Sequence, residues 1–175
     1  MEEKVDLSDL KCGYPDCCFM AGGKWFRYRT AGLIVEDGEL LLIGNKSVDY
    51  LYTIGGGVHL GEHAEDCVLR EVKEETGVDY EIDHLAVICE NFFIGHEEPI
   101  EDYTCHVIEF YFLMKPRGSK ELHSDSYGWN NQKEEVVWIP LEKLPQTNVK
   151  PDFIKIRMPE ILKGKSLIHI VNDER

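Results

Sequence analysis

Between Gly56 and Val78 the chain sets out residue types that could hold a cation: Gly56-x5-Glu62-x7-Arg70-Glu71-Val72-x-Glu74-Glu75-x-Gly77-Val78. On a helix each residue advances about 100° around the axis, so Glu71, Glu74 and Glu75 fall within roughly 100° of one another, on one face. Val68, Leu69 and Val72 take the adjoining face and would anchor the helix to a sheet. Three like charges so close repel, each pair weakening an isolated helix by roughly 0.2–0.5 kcal/mol. A hard divalent cation with oxygen ligands offsets that repulsion directly. The run Gly55-Gly56-Gly57 supplies a loop that can fold tightly and turn carbonyls towards the same cation. Arg70, beside Glu71, can hold a neighbouring carboxylate or the loop through paired hydrogen bonds. A solvated acidic face is the simpler reading of the glutamates alone. With seven fixed residue types and two aliphatic positions, however, a chance match to the full pattern is on the order of 10⁻⁸.

The surrounding elements read as strands and two helices. Trp25 to Arg29 alternates, Ala31 to Val35 is apolar, and Glu36-Asp37-Gly38-Glu39 marks a hairpin turn before Leu40-Leu41-Leu42-Ile43. Tyr50 to Ile54 predicts a short strand, and Glu62 to Thr76 a helix stopped by Gly77. Tyr80 to Phe93 is strand-rich, Gly95 to Asp102 an acidic loop, and Thr104 to Met114 a long apolar strand. A polar loop at Lys115 to Lys133 precedes a strand at Glu135 to Ile139, a helical turn at Pro140 to Leu144 and a terminal helix at Pro151 to Leu162. Residues 1–24 read as an irregular lead-in and 25–175 as one domain, with no internal repeat. Mixed strands around two helices make the class α+β or a compact α/β sandwich.

Composition narrows the partners. Of 175 residues, 19 are Lys or Arg and 33 are Asp or Glu, a formal net charge of −14 that argues against gripping a nucleic-acid polymer. A small anionic ligand remains compatible with such a chain when metal ions neutralise its site. No stretch approaches the roughly 20 apolar residues of a membrane span, and the acidic N-terminus lacks an apolar signal segment, so a cytoplasmic protein is expected. The six cysteines, Cys12, Cys17, Cys18, Cys67, Cys89 and Cys105, read as reduced thiols. A zinc site at Cys12, Cys17 and Cys18 lacks a second ligand pair.

The segment from Gly56 to Val78 resembles the signature box of the Nudix hydrolases, with every defining position present. The resemblance extends over roughly Trp25 to Leu162, including Glu135-Val136-Val137-Trp138-Ile139-Pro140-Leu141. It implies an α/β/α sandwich with a mixed β-sheet, magnesium or manganese as cofactor, and hydrolysis of a phosphoanhydride in a small-molecule substrate. Carried onto this chain, Glu71, Glu74 and Glu75 would be metal ligands, joined by the Gly55 carbonyl. Glu71 would be one candidate general base, and Arg70 and Glu62 would brace the loop. Ile54 stands where the family often has proline, and His59 where an acid is common, which bears on subfamily and substrate.

A nucleoside-diphosphate derivative such as ADP-ribose or a nucleotide sugar is the first expectation, with a (d)NTP the alternative. Isopentenyl-diphosphate isomerases usually lack so regular a box, and ligand-sensing domains of regulators normally lose its glutamates. Outside the box, Glu109 interrupts an apolar strand and is a candidate further metal ligand, with a salt bridge as the competing reading and Glu97, Glu98, Glu101 and Asp102 as the competing acids. Arg29 and Lys46 are candidate phosphate clamps, Gly56 a substrate contact and Trp129 a base-stacking residue, while Trp138 is expected in the core. Of the histidines, His59 and His106 are the candidate contributors. The reading leaves room for a homodimer.

Overall fold

The computed structural model describes residues 11–12, 15–46, 48–96, 99–125, 127 and 133–175. Its elements run β1 (Lys11–Cys12), β2 (Cys18–Ala21), β3 (Lys24–Leu33), β4 (Val35–Glu36), β5 (Glu39–Gly44), β6 (Leu51–Tyr52), α1 (Ala64–Thr76), β7 (Ile82–Ile94) and β8 (Thr104–Met114). They continue with β9 (Glu135–Pro140), a 3-10 turn at Leu141–Gln146, β10 (Val149–Lys150), α2 (Phe153–Ile161) and β11 (Ile168–Asp173). Trp129, Glu97 and Glu98 lie outside the described residues.

Two mixed sheets form the middle layer. One has the order β1-β2-β3-β8-β7-β11, with β3–β8 and β7–β11 parallel; the other runs β10-β6-β5-β4, with β9 added on β5. Successive side chains on a strand point to opposite faces. Accordingly Leu40 and Leu42 of β5 join the core beneath α2, with Tyr111, Phe153, Ile154 and Met158. Leu41 and Ile43 join the core beneath α1, with Val68, Val72, Phe112 and Met114. The helices therefore cover opposite faces, which is the expected α/β/α sandwich. Trp138, expected in the core, packs partly buried against the α1 side.

Local chemistry accounts for most boundaries. Asp37 and Gly38 both take positive φ, 49° and 78°, as a two-residue hairpin turn requires. Gly77 at φ 74° closes α1 with its N–H bonded to the Lys73 carbonyl. Two expectations need correction. The lead-in 1–24 is not irregular throughout, because Cys18–Ala21 pairs antiparallel with β3 around Gly22 and Gly23, both at positive φ. The helix at Phe153–Ile161 is not terminal, because Ile168–Asp173 adds in parallel along β7. Its polar residues and half-exposed edge position conceal the period-two pattern.

Candidate active site

The glycine run is not a free loop. Its backbone lies antiparallel along β3: Thr30 N–H donates to Gly56 O at 3.0 Å, Gly32 N–H to Ile54 O at 2.9 Å and Val58 N–H to Tyr28 O at 3.1 Å. On the other side residues 15–17 pair with 58–60, through Cys17 N–H to Val58 O at 2.7 Å and Leu60 N–H to Pro15 O at 2.8 Å. Because strand carbonyls alternate in direction, the N–H and C=O of Gly55 are left facing away from β3. The N–H donates to Glu75 Oε2 at 2.9 Å, and the carbonyl accepts from Arg29 Nη2 at 2.9 Å.

Helix α1 delivers its glutamates to this segment. A Cβ placed on Gly56 would fall on the Glu71 carboxylate, so the two are in close approach, as only glycine permits. Burial pushes the Glu75 carboxyl up to about 8, and it also raises Glu71 against the opposing pull of Arg70. Glu74 faces outwards with 59% of its side chain exposed, 3.5 Å from Arg70. Among the described residues no three acidic, histidine or cysteine side chains converge as a ready-made cage. Glu71 is turned to Arg70 at 2.5 Å and Glu75 to the Gly55 N–H. Still, two carboxylates that burial disfavours as anions, set beside a carbonyl that faces away from the β3 backbone, are hard oxygen donors suited to magnesium or manganese. The residues fit such an ion.

Arg70 and Glu62 are joined by paired hydrogen bonds. Arg70 donates to both Glu62 oxygens, at 2.9 and 3.0 Å, and to Gly57 O at 3.3 Å. Glu62 also accepts from His59 N–H at 2.9 Å. The Arg70 guanidinium pulls the Glu62 carboxyl down to about 2 from 4.5. A depressed carboxyl stabilises the fold above its unfolded value and loses that contribution as pH falls through the folded one. The stability gap between wild type and Glu62→Gln, read from urea unfolding, should therefore be largest above pH 4.5 and shrink as pH approaches 2. A gap independent of pH would remove the charged brace.

The candidate phosphate clamps and the candidate further metal ligand fare differently. Arg29 and Glu109 come together as a buried ion pair at 3.0 Å, which is the salt-bridge alternative for Glu109. The remaining Glu109 oxygen accepts from Tyr111 Oη at 2.9 Å and Asn91 Nδ2 at 3.3 Å. Lys46 is exposed just beyond β5. His59 and Arg27 both meet Asp16, at 3.6 and 3.2 Å, while the His106 ring stacks on Phe92. The thiols of Cys17, Cys67, Cys89 and Cys105 are free of disulfides.

A family model described as the NUDIX domain matches residues 26–158. The chain belongs to that family. It is 30% identical over 133 residues to a MutT-like protein of Streptomyces ambofaciens, covering 75% of this chain and 69% of that one. It is 29% identical over 118 residues to an ADP-ribose pyrophosphatase of Methanocaldococcus jannaschii, covering 66% of this chain and 62%, under two thirds, of that protein. Among solved structures it is similar to a MutT NUDIX hydrolase from Burkholderia pseudomallei, with TM-score 0.57 and 26% identity over 75% of this chain and 96% of that one. No helix of the described residues is long and apolar enough to cross a membrane.

Within this NUDIX domain one acid escaped the sequence reading. Glu134 is buried, accepts from Tyr52 Oη at 2.8 Å, and its charge raises the Glu75 carboxyl. Burial, and then this same bond, raise the Tyr52 hydroxyl. The one available signal was its place at the start of the Glu135 strand, with no periodicity to set it apart.

Proposed function

We propose that this chain is a divalent-metal-dependent hydrolase that cleaves the diphosphate linkage of a nucleoside-diphosphate derivative, ADP-ribose or a nucleotide sugar. The observation that carries the reading is the convergence of Glu71 and Glu75 on Gly55 and Gly56, at the box positions of a NUDIX domain. Similarity to an ADP-ribose pyrophosphatase supports the substrate class.

Glu71, Glu75 and the Gly55 carbonyl would hold magnesium or manganese, with Glu74 contributing from the solvent side. The bound ion supplies neutralisation of phosphate charge and a more acidic water for attack on phosphorus. Glu71 would be the side chain to take a proton from an attacking water, with Glu134 as the second acid within the field of Glu75. Arg70 and Glu62 keep the glycine segment from shifting as substrate enters, and Lys46 stands exposed as the remaining candidate for a phosphate contact.

A substrate panel with magnesium tests this: ADP-ribose, nucleotide sugars, dinucleotides, CoA and (d)NTPs, with phosphate read before and after added phosphatase. The expected result is phosphate released from ADP-ribose only after phosphatase, because both products are phosphomonoesters. Turnover confined to (d)NTPs, with pyrophosphate as product, would replace the substrate class, and no turnover on any member would remove the activity.

A further inference from the structure

A line of buried and part-buried hydrogen bonds joins β11, at the edge of the six-stranded sheet, to the glycine segment. Asn172 of β11 donates from Nδ2 to Asn91 Oδ1 of β7 at 2.8 Å, and the two residues are direct partners in the ladder. Asn91 Nδ2 donates to Glu109 Oε2 of β8 at 3.3 Å, where Tyr111 Oη also donates at 2.9 Å. Glu109 Oε1 accepts from Arg29 Nη1 of β3 at 3.0 Å, again between ladder partners. Arg29 Nη2 then reaches Gly55 O at 2.9 Å.

Stability alone is a poor reason for such a line. The Arg29 and Glu109 side chains are 14% and 3% exposed, and a buried ion pair repays its desolvation only with near-ideal partners. Arg29 Nε is also left buried without a partner, a further cost of holding the guanidinium there. What the arrangement does accomplish is directional. Gly55 sits at φ 143°, a conformation only glycine takes readily, so its own backbone preferences do little to aim its peptide groups. The Arg29 fork fixes the carbonyl, and the amide on the other side of the same residue meets Glu75.

We propose that Arg29 is a positioning residue that aims the Gly55 carbonyl, and that Glu109, Asn91 and Asn172 hold its guanidinium, which makes β11 part of the metal-binding apparatus. This rests on the reading that Gly55 and Glu75 hold the ion. Arg29 and Glu109 then act through Gly55 rather than as phosphate clamp and metal ligand.

The test is Mn²⁺ affinity of the full chain, read by the electron paramagnetic resonance of free Mn²⁺, together with melting temperature. Variants are Asn172→Ala, Arg29→Lys, their combination and Glu75→Gln. Arg29→Lys keeps the charge and loses the fork, and should weaken Mn²⁺ about tenfold; Asn172→Ala, at the far end of the line, should weaken it about threefold. The double variant should bind no more weakly than Arg29→Lys, because both cut one line. A merely structural role would lower the melting temperature and leave Mn²⁺ affinity unmoved well below it. Wild-type affinity in Asn172→Ala and Arg29→Lys, with Glu75→Gln deficient, overturns the positioning role and leaves the metal site standing. Additive losses in the double variant overturn it too. Unchanged binding in Glu75→Gln overturns the metal reading and this inference with it. If Arg29→Lys does not fold, Asn172→Ala decides alone.

Discussion

Glu75→Gln should reduce turnover by about 10³-fold while the chain remains folded, since a lost ligand to a catalytic cation removes several kcal/mol of transition-state stabilisation. Were Glu75 only part of a solvated face, the same change would pass almost unnoticed, or relieve the repulsion from Glu71 and Glu134 that helps raise its carboxyl. The two cases separate in a melting experiment. Magnesium at about a hundred times its dissociation constant adds about 2.7 kcal/mol to the folded state, or about 5–10 °C in a chain of this size. Wild type should show that rise and Glu75→Gln should not. Glu74→Gln, altering the exposed carboxylate, should show a smaller defect that extra magnesium recovers. EDTA should stop the reaction and added magnesium or manganese restore it. Full activity of Glu75→Gln in the presence of EDTA would end the metal mechanism.

Gly55→Ala should be the most disruptive single change in the glycine segment. A Cβ there would overlap the Thr30 carbonyl oxygen and press on the Ala31 Cα, at a φ of 143° that an L-residue rarely adopts. Backbone strain of roughly 1–2 kcal/mol and overpacking of roughly 1–3 kcal/mol act together, since neither backbone neighbour can swing aside. Gly61→Ala provides the comparison, because Gly61 also has positive φ, 88°, but a Cβ there meets nothing within 4 Å. It should show the strain without the overlap, about 1–2 kcal/mol. Urea unfolding of both variants checks this, and Gly55→Ala as stable as Gly61→Ala would mean the segment does not press on β3.

What is legible in the residues alone is whatever leaves a local or periodic trace. The Asp37-Gly38 turn, the apolar run of β8 and the Gly77 stop are each written in adjacent residues. The box helix was legible because its spacing is chemical as well as structural. Other features depended on pairings that no local window contains. Arg29 and Glu109 are 80 residues apart, and each taken alone suggested a functional contact, with Arg29 read as a clamp and Glu109 as a ligand. Tyr52 and Glu134 are 82 apart, so the acid nearest in effect to Glu75 carried no signature of its own. The Gly22-Gly23 turn leaves a local signal, two adjacent glycines, that is masked by the other turn residues of the lead-in.

The parallel pairing of β3 with β8 bears on how the chain finds this arrangement. Lys24 meets Thr104 and Arg29 meets Glu109 only after a long intervening stretch has been brought round, whereas β7 and β8 are joined by a short connection. Non-local pairings carry a loop-closure entropy that must be met before any contact repays it, and they slow folding accordingly. The β7–β8 hairpin is thus the natural early structure and the docking of β3 the late one. The glycine segment lies along β3, and Arg29, which holds the Gly55 carbonyl, gains its Glu109 partner only once β3 has docked on β8. Competence to bind metal should therefore arise in the last steps of folding, and collapsed intermediates that already contain the box helix should lack it.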